Sequence, residues 1–119
     1  MGLDMALYNR ADGTEEELHY WRKANAVHGY FVDQLADGID ECQPIRVNMD
    51  DLRELKRRCI IARVDPDRRE ELMPTTSGFF FGSTDYDVYY ESYLDDTIEA
   101  ISAIEERDDI GEMYYHSSW

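Results

Sequence analysis

Leu18–Leu35, LHYWRKANAVHGYFVDQL, is the stretch whose reading decides the fold. At 3.6 residues per turn, Tyr20, Ala24, Val27, Phe31 and Leu35 fall on one face, the spacing of an amphipathic helix. Trp21, His28 and Val32 flank that stripe on one side, with Asn25 just beyond; Lys23 and Tyr30 flank it on the other. Thr14 followed by Glu15, Glu16 and Glu17 supplies an N-cap candidate with glutamate at its third position, and acids in a first turn suit the helix dipole. The spacing therefore predicts one helix across this stretch to about Ala36, closed by Asp37-Gly38.

On that helix Trp21, Asn25 and His28 would stand at i, i+4 and i+7, a line of indole, amide and imidazole. Such a line suits a planar, hydrogen-bonding ligand, with Arg22 or Lys23 meeting a phosphate. The plainer reading is that these groups sit at the edge of the core and bond to a neighbouring loop.

Outward from the helix, Leu3, Met5 and Leu7 alternate with Asp4 and Ala6, so residues 2–9 read as a strand, followed by a turn at Asn9–Gly13. Residues 37–44 form an acidic loop, and Ile45–Val47 suits a short strand. Asn48 is an N-cap candidate for a second helix to about Val64, with Leu52, Leu55, Cys59 and Ala62 as its apolar stripe and Asp50 and Asp51 in its first turn. Asp65-Pro66 opens a short helix that ends near Met73. The glycine-bracketed run Ser77–Ser83 (SGFFFGS) suits a buried strand through Phe79–Phe81 and lacks either nucleotide-binding fingerprint. Ser83 or Thr84 caps a helix from about Tyr86 to Glu106, with Tyr86, Tyr90, Tyr93, Thr97, Ala100, Ile101 and Ile104 as its stripe and Leu94 and Ile98 beside it. Asp85 and Asp87 resemble a metal-binding D-x-D only superficially, since no glycine-rich calcium loop follows. Glu112–Trp119 alternates as a last strand, expected against the first strand or against Phe79–Phe81. These elements predict a single α+β domain over residues 1–119. Its small, mostly antiparallel sheet of three or four strands is packed by two long helices and a shorter basic helix. An aromatic-lined concavity is expected between the central helix and the last strand.

The chain has 119 residues and a formal charge of −15. Residues 70–119 carry thirteen acids against one base, Arg107, whereas residues 46–69 hold eight of the twelve basic side chains. Within the helix from Tyr86, Glu91, Asp95 and Glu99 form a like-charge column with Asp96 toward its edge and Glu106 at its end, an arrangement that costs a few tenths of a kcal/mol per pair unless something compensates it. An acidic field of this kind repels nucleic acid and attracts surfaces built to bind it; it also confers solubility. The basic run is expected either to form a phosphate-binding patch or to pair with the acids of the other half. Cys42 and Cys59 are too few and too far apart for a disulfide framework or a zinc knuckle. No apolar run reaches membrane-spanning length, and the N-terminus lacks signal-peptide and myristoylation features, so a cytoplasmic protein is expected. No metal or other cofactor is implied.

The opening MGLDM, the block YWRKANAVHGYFVD (Tyr20–Asp33), the block SGFFFGSTDYD (Ser77–Asp87) and the ending SSW together resemble a widespread group of small proteins encoded in bacterial phages and prophages. The similarity spans nearly the whole chain, with residues 42–73 least alike. The resemblance implies a genetic setting, adds weight to Tyr20, Trp21, Arg22, Lys23, Asn25 and His28 acting together, and carries over no catalytic role. In that setting the expected function is a non-enzymatic inhibitor of a bacterial defence system, anti-CRISPR-like. Glu91, Asp95, Asp96, Glu99 and Glu106 would imitate phosphates and occupy a basic nucleic-acid-binding surface of a host protein, without direct binding to nucleic acid or membrane. The alternatives are a binder of a nucleotide-like ligand through Tyr20–His28, an enzyme using His28 as acid or base, and an assembly role such as a homodimer.

Overall fold

The computed structural model describes residues 2–78 and 81–119. The alternating N-terminal residues form β1, Asp4–Ala11, and the segment after it turns back as a second strand, β2, Thr14–Arg22. The turn between them is Asp12-Gly13, with φ of +54° and +76°. Paired left-handed residues are what a tight two-residue hairpin requires, and Asp-Gly is among the dipeptides that supply them most readily. β3 is Ile45–Val47 and β4 is Glu112–Ser118. All pairings are antiparallel, in the order β2-β1-β4-β3.

The predicted helix over Leu18–Ala36 thus begins as strand, through Arg22. The helix α1 begins only at Asn25 and runs to Leu35. The reason lies in a bulge: Leu7 faces His19 but Tyr8 faces Glu17, leaving Leu18 without a partner. The extra residue shifts the side-chain parity of β2, so no continuous period of two survives in its sequence. Beyond the bulge, Trp21 joins Met5 on the core side while Tyr20 and Arg22 point to the other face.

Asn48 caps α2, Met49–Val64, in a reciprocal capping box with Asp51, and Leu52, Leu55, Cys59 and Ala62 are all buried, as their spacing predicted. A 3-10 turn over Pro66–Arg68, capped by Asp65, leads into the single turn α3, Arg69–Leu72. The last helix, α4, spans Val88–Glu105 and is capped by Asp87, which accepts from the amides of Tyr89 and Tyr90, rather than by Ser83 or Thr84. Its buried line is Tyr90, Leu94, Thr97, Ile101 and Ile104.

Met5, Leu7, Trp21, Ile45, Val47, Met113 and Tyr115 present the sheet's inner face to Phe31 of α1, Leu52 and Leu55 of α2, and Leu94 of α4 in one core. The architecture is the expected α+β. β4 pairs with β1 as one of the two expected alternatives. Of the aromatic run, Phe79 and Phe80 lie outside the described residues; Phe81 is buried in irregular backbone, its amide donating to the carbonyl of Gly78, and is not in a strand. α1 is buried along Asn25–Val32. At Gly29 a Cβ would come within 2.4 Å of Thr76 Oγ1, so only glycine lets the segment before α4 lie this close.

Candidate functional site

The Tyr20–His28 block divides between interior and surface. Trp21 is 3% exposed, and its indole N–H donates to Thr97 Oγ1 at 2.8 Å. Asn25 is fully buried and uses both ends of its amide. Nδ2 donates to the carbonyls of Phe81 (3.1 Å) and Ser83 (2.9 Å), while Oδ1 accepts from the amide of Thr76 (2.9 Å). It is the clamp that holds the segment before α4 against α1.

His28 is also interior, 1% exposed, with Nε2 2.9 Å from Asp40 Oδ2 and Nδ1 2.6 Å from the Tyr115 hydroxyl. A carboxylate only accepts, so the tautomer protonated at Nε2 satisfies both bonds by taking the Tyr115 hydroxyl at Nδ1. Asp40 also receives the indole N–H of Trp119 at 3.0 Å. Burial holds the Tyr115 hydroxyl far above the usual phenol range, so it remains a donor. The imidazole does lie beside a carboxylate, but both of its nitrogens are already bonded within the protein, to Tyr115 and Asp40. The concavity expected between α1 and β4 is filled: the rings of Phe31 and Tyr115 stack at 4.0 Å.

The expected acidic row is likewise divided. Glu91 accepts from Arg63 and Arg69, each at 3.1 Å, and Asp95 pairs with Arg63 at 3.0 Å. The basic helix α2 neutralises the side of α4 that faces it, and Lys56 does the same to Glu105 at 2.8 Å. Arg57 and Arg58 instead hold Glu54, and their hydrogen bonds lower its carboxyl to about 2. The other side of α4 faces β2. There Asp96 meets His19 at 2.7 Å, and Arg107, just past the helix, bonds Glu16. A shallow groove between them is lined in part by Leu18, His19, Asp96, Glu99 and Arg107. Among the described residues, Glu17, Glu99, Glu106 and Asp108 have no basic side chain within 4.0 Å.

An open cleft of about 720 Å³ lies elsewhere, between the β2–α1 junction and the start of α4. Tyr20, Arg22 and Lys23 form one wall; Ser83, Asp85, Tyr89, Ser92 and Tyr93 belong to the other. Ten of the twelve Lys and Arg side chains lie within 4.0 Å of a carboxylate. The two that do not, among the described residues, are the neighbours Arg22 and Lys23. Asp4, opposite Arg22 in the strand register, is taken by the Tyr20 hydroxyl. Lys23 has φ of +55°, a left-handed conformation that costs a residue with a Cβ roughly 1–2 kcal/mol. It is fixed there by its backbone N–H, which donates to the Leu3 carbonyl at 2.7 Å, and by Gly82 packing against its side chain.

The second wall was not legible in the sequence, where its residues follow Lys23 by about sixty positions. The one available signal is Tyr89, an aromatic off the buried line of α4 and 75% exposed. Asp87 acts as a helix cap, and among the described residues no group of three or more His, Cys, Asp or Glu side chains is placed to hold a metal ion. Burial pushes the Cys59 thiol up to about 12, which makes it a core residue rather than a nucleophile. Among the described residues no helix is long and apolar enough to cross a membrane. The chain matches no protein-family model, no characterised protein and no solved structure.

Proposed function

We propose that the protein is a non-enzymatic docking protein, an inhibitor of a bacterial defence system in the anti-CRISPR manner, that occupies a basic nucleic-acid-binding surface of a host protein in the bacterial cytoplasm. The observation that carries this reading is the acidic charge left after internal pairing. Glu91 and Asp95 are neutralised from α2, so the docking face is narrower than the full acidic row. It comprises Glu99 on α4, Glu106 just past its end and Glu17 on the adjoining strand, with Asp96, whose carboxylate also meets His19, beside them. Carboxylates on a helix and an edge strand form a fixed array that a set of arginines and lysines can meet, and steering by the −15 field makes the encounter fast and salt-sensitive. The role first assigned to Asn25 and His28 in holding a ligand has no support, because both are enclosed by bonds within the protein.

The test is capture of partners from a bacterial lysate by the wild type and by the triple variant Asp96→Asn, Glu99→Gln, Glu106→Gln. The wild type should retain nucleic-acid-binding proteins that competing DNA releases, with an affinity that falls steeply as salt rises through roughly 0.1 M. The triple variant should bind at least tenfold more weakly with its fold unchanged. Binding that ignores salt, or a fully active triple variant, overturns the proposal.

A further inference from the structure

The geometry points to a small-molecule site in the cleft between the β2–α1 junction and α4, with a nucleoside phosphate whose base bears an amino group as its ligand. This site is separate from the docking reading and stands on different residues. A phosphate is specified by Arg22 and Lys23. In a chain with 27 acids against 12 bases, a free cation is the exception, and the two found among the described residues are adjacent and open into the same cavity. A guanidinium fork beside an ammonium is the usual protein complement to a phosphate group. Lys23 sits where the backbone favours glycine, at φ +55°, and its amide is tied to Leu3, so its side chain leaves the chain in a fixed direction. Three of the four residues with positive φ that are not glycine are Asp12, Asp37 and Cys42, and the two aspartates are of the type that tolerates this region; a lysine is not.

The rest of the ligand follows from the facing wall. Tyr89, three-quarters exposed, and Tyr93 offer aromatic surface at the start of α4. A ring of a ligand held at Lys23 can stack there, and stacking on an exposed aromatic contributes without reading base identity. Asp85 lies on the same wall and has no basic partner among the described residues. Its carboxylate repels a second anion and accepts a hydrogen bond from an exocyclic amino group. The cleft volume of about 720 Å³ lies within the range of ordinary small-ligand pockets. A phosphate on Arg22 and Lys23, a ring on the tyrosines and an amino group on Asp85 together describe adenine, cytosine or guanine nucleotides. A nucleic-acid strand is disfavoured, because its continuing phosphates would meet Asp85 and Asp96.

Titration calorimetry and thermal-shift measurements on the whole chain with AMP, UMP, adenosine and inorganic phosphate test this. AMP should bind and raise the melting temperature, at least tenfold more tightly than adenosine or phosphate alone and more tightly than UMP. Lys23→Gly and Arg22→Gln should each weaken AMP at least tenfold, and Tyr89→Ala should weaken it severalfold. Lys23→Gly is the decisive variant, because glycine is at ease at φ +55° and the protein should melt no lower than the wild type. The site is refuted by any of three results: no binding of AMP at millimolar concentration, AMP affinity unchanged in both Lys23→Gly and Arg22→Gln, or phosphate alone or UMP binding as tightly as AMP.

Discussion

Trp21, Asn25 and His28 face inward and end in complete sets of hydrogen bonds; Arg22 and Lys23, between them in sequence, face outward and have no carboxylate partner within 4.0 Å among the described residues. Strand alternation separates Trp21 from Arg22, and the left-handed turn at Lys23 separates both from the helix. The difference shows that a compact run of polar and aromatic side chains need not act as one site. Half of it builds the wall, and half stands on the wall. Asn25 links the two, because the segment it clamps continues through Gly82 and Ser83 into the far side of the cleft.

The contrast breaks most sharply at Asn25. Asn25→Ala leaves the Thr76 amide and the Phe81 and Ser83 carbonyls without their partner, and the expected loss is about 3–5 kcal/mol in urea unfolding. A loss under about 1 kcal/mol would mean that the segment is held by other contacts and that the interior half is less closed than described. Trp21→Phe keeps a ring in the core and deletes one donor to Thr97; a loss of about 1–2 kcal/mol is expected by the same measurement, and no loss would place Trp21 with the surface half.

The smallest effect belongs to the exposed pairs that cover α2. Arg57 and Arg58 lower the Glu54 carboxyl from its ordinary 4.5 to about 2. A folded value below the unfolded one means stabilisation that is complete above 4.5 and is lost as pH falls toward 2. Because the Glu54 side chain is 38% exposed, solvent screening keeps the contribution under about 1 kcal/mol. Wild type and Glu54→Gln should therefore differ slightly in urea midpoint at neutral pH and converge near pH 2. A gap that persists at low pH would assign the effect to packing rather than charge.

Much of the fold was legible. Asn48 with Asp51, the stripe Leu52, Leu55, Cys59 and Ala62, and the alternation at Leu3–Leu7 are local signals, and the structure uses each as its spacing implies. β2 was not read, because the bulge at Leu18 cancels its period while Tyr20, Ala24 and Val27 coincide with a helical one. The Asp12-Gly13 turn was the signal that outranked that coincidence. Of the candidate site residues, Arg22 and Lys23, singled out in the sequence as cations for a phosphate, line an open cleft that the sequence reading did not place. Their freedom from partners was invisible in the sequence, since it depends on where twenty-seven acids come to rest. The pairing of Arg63 with Glu91 and Asp95 across two helices, which neutralises two of the three acids of the column, was open for the same reason.

β2 lies at the rim of the sheet for nine residues, with Glu15, Glu16 and Glu17 exposed in succession. A bare rim of this length is a template on which a neighbouring molecule's backbone can ladder, the first step toward fibrils. Arg10 and Arg107 hold Glu15 and Glu16, and Glu17, with no basic partner among the described residues, places an uncompensated charge on the rim that opposes that step. The negative surface invoked for the proposed docking thus also sets like charge against like between copies of the molecule.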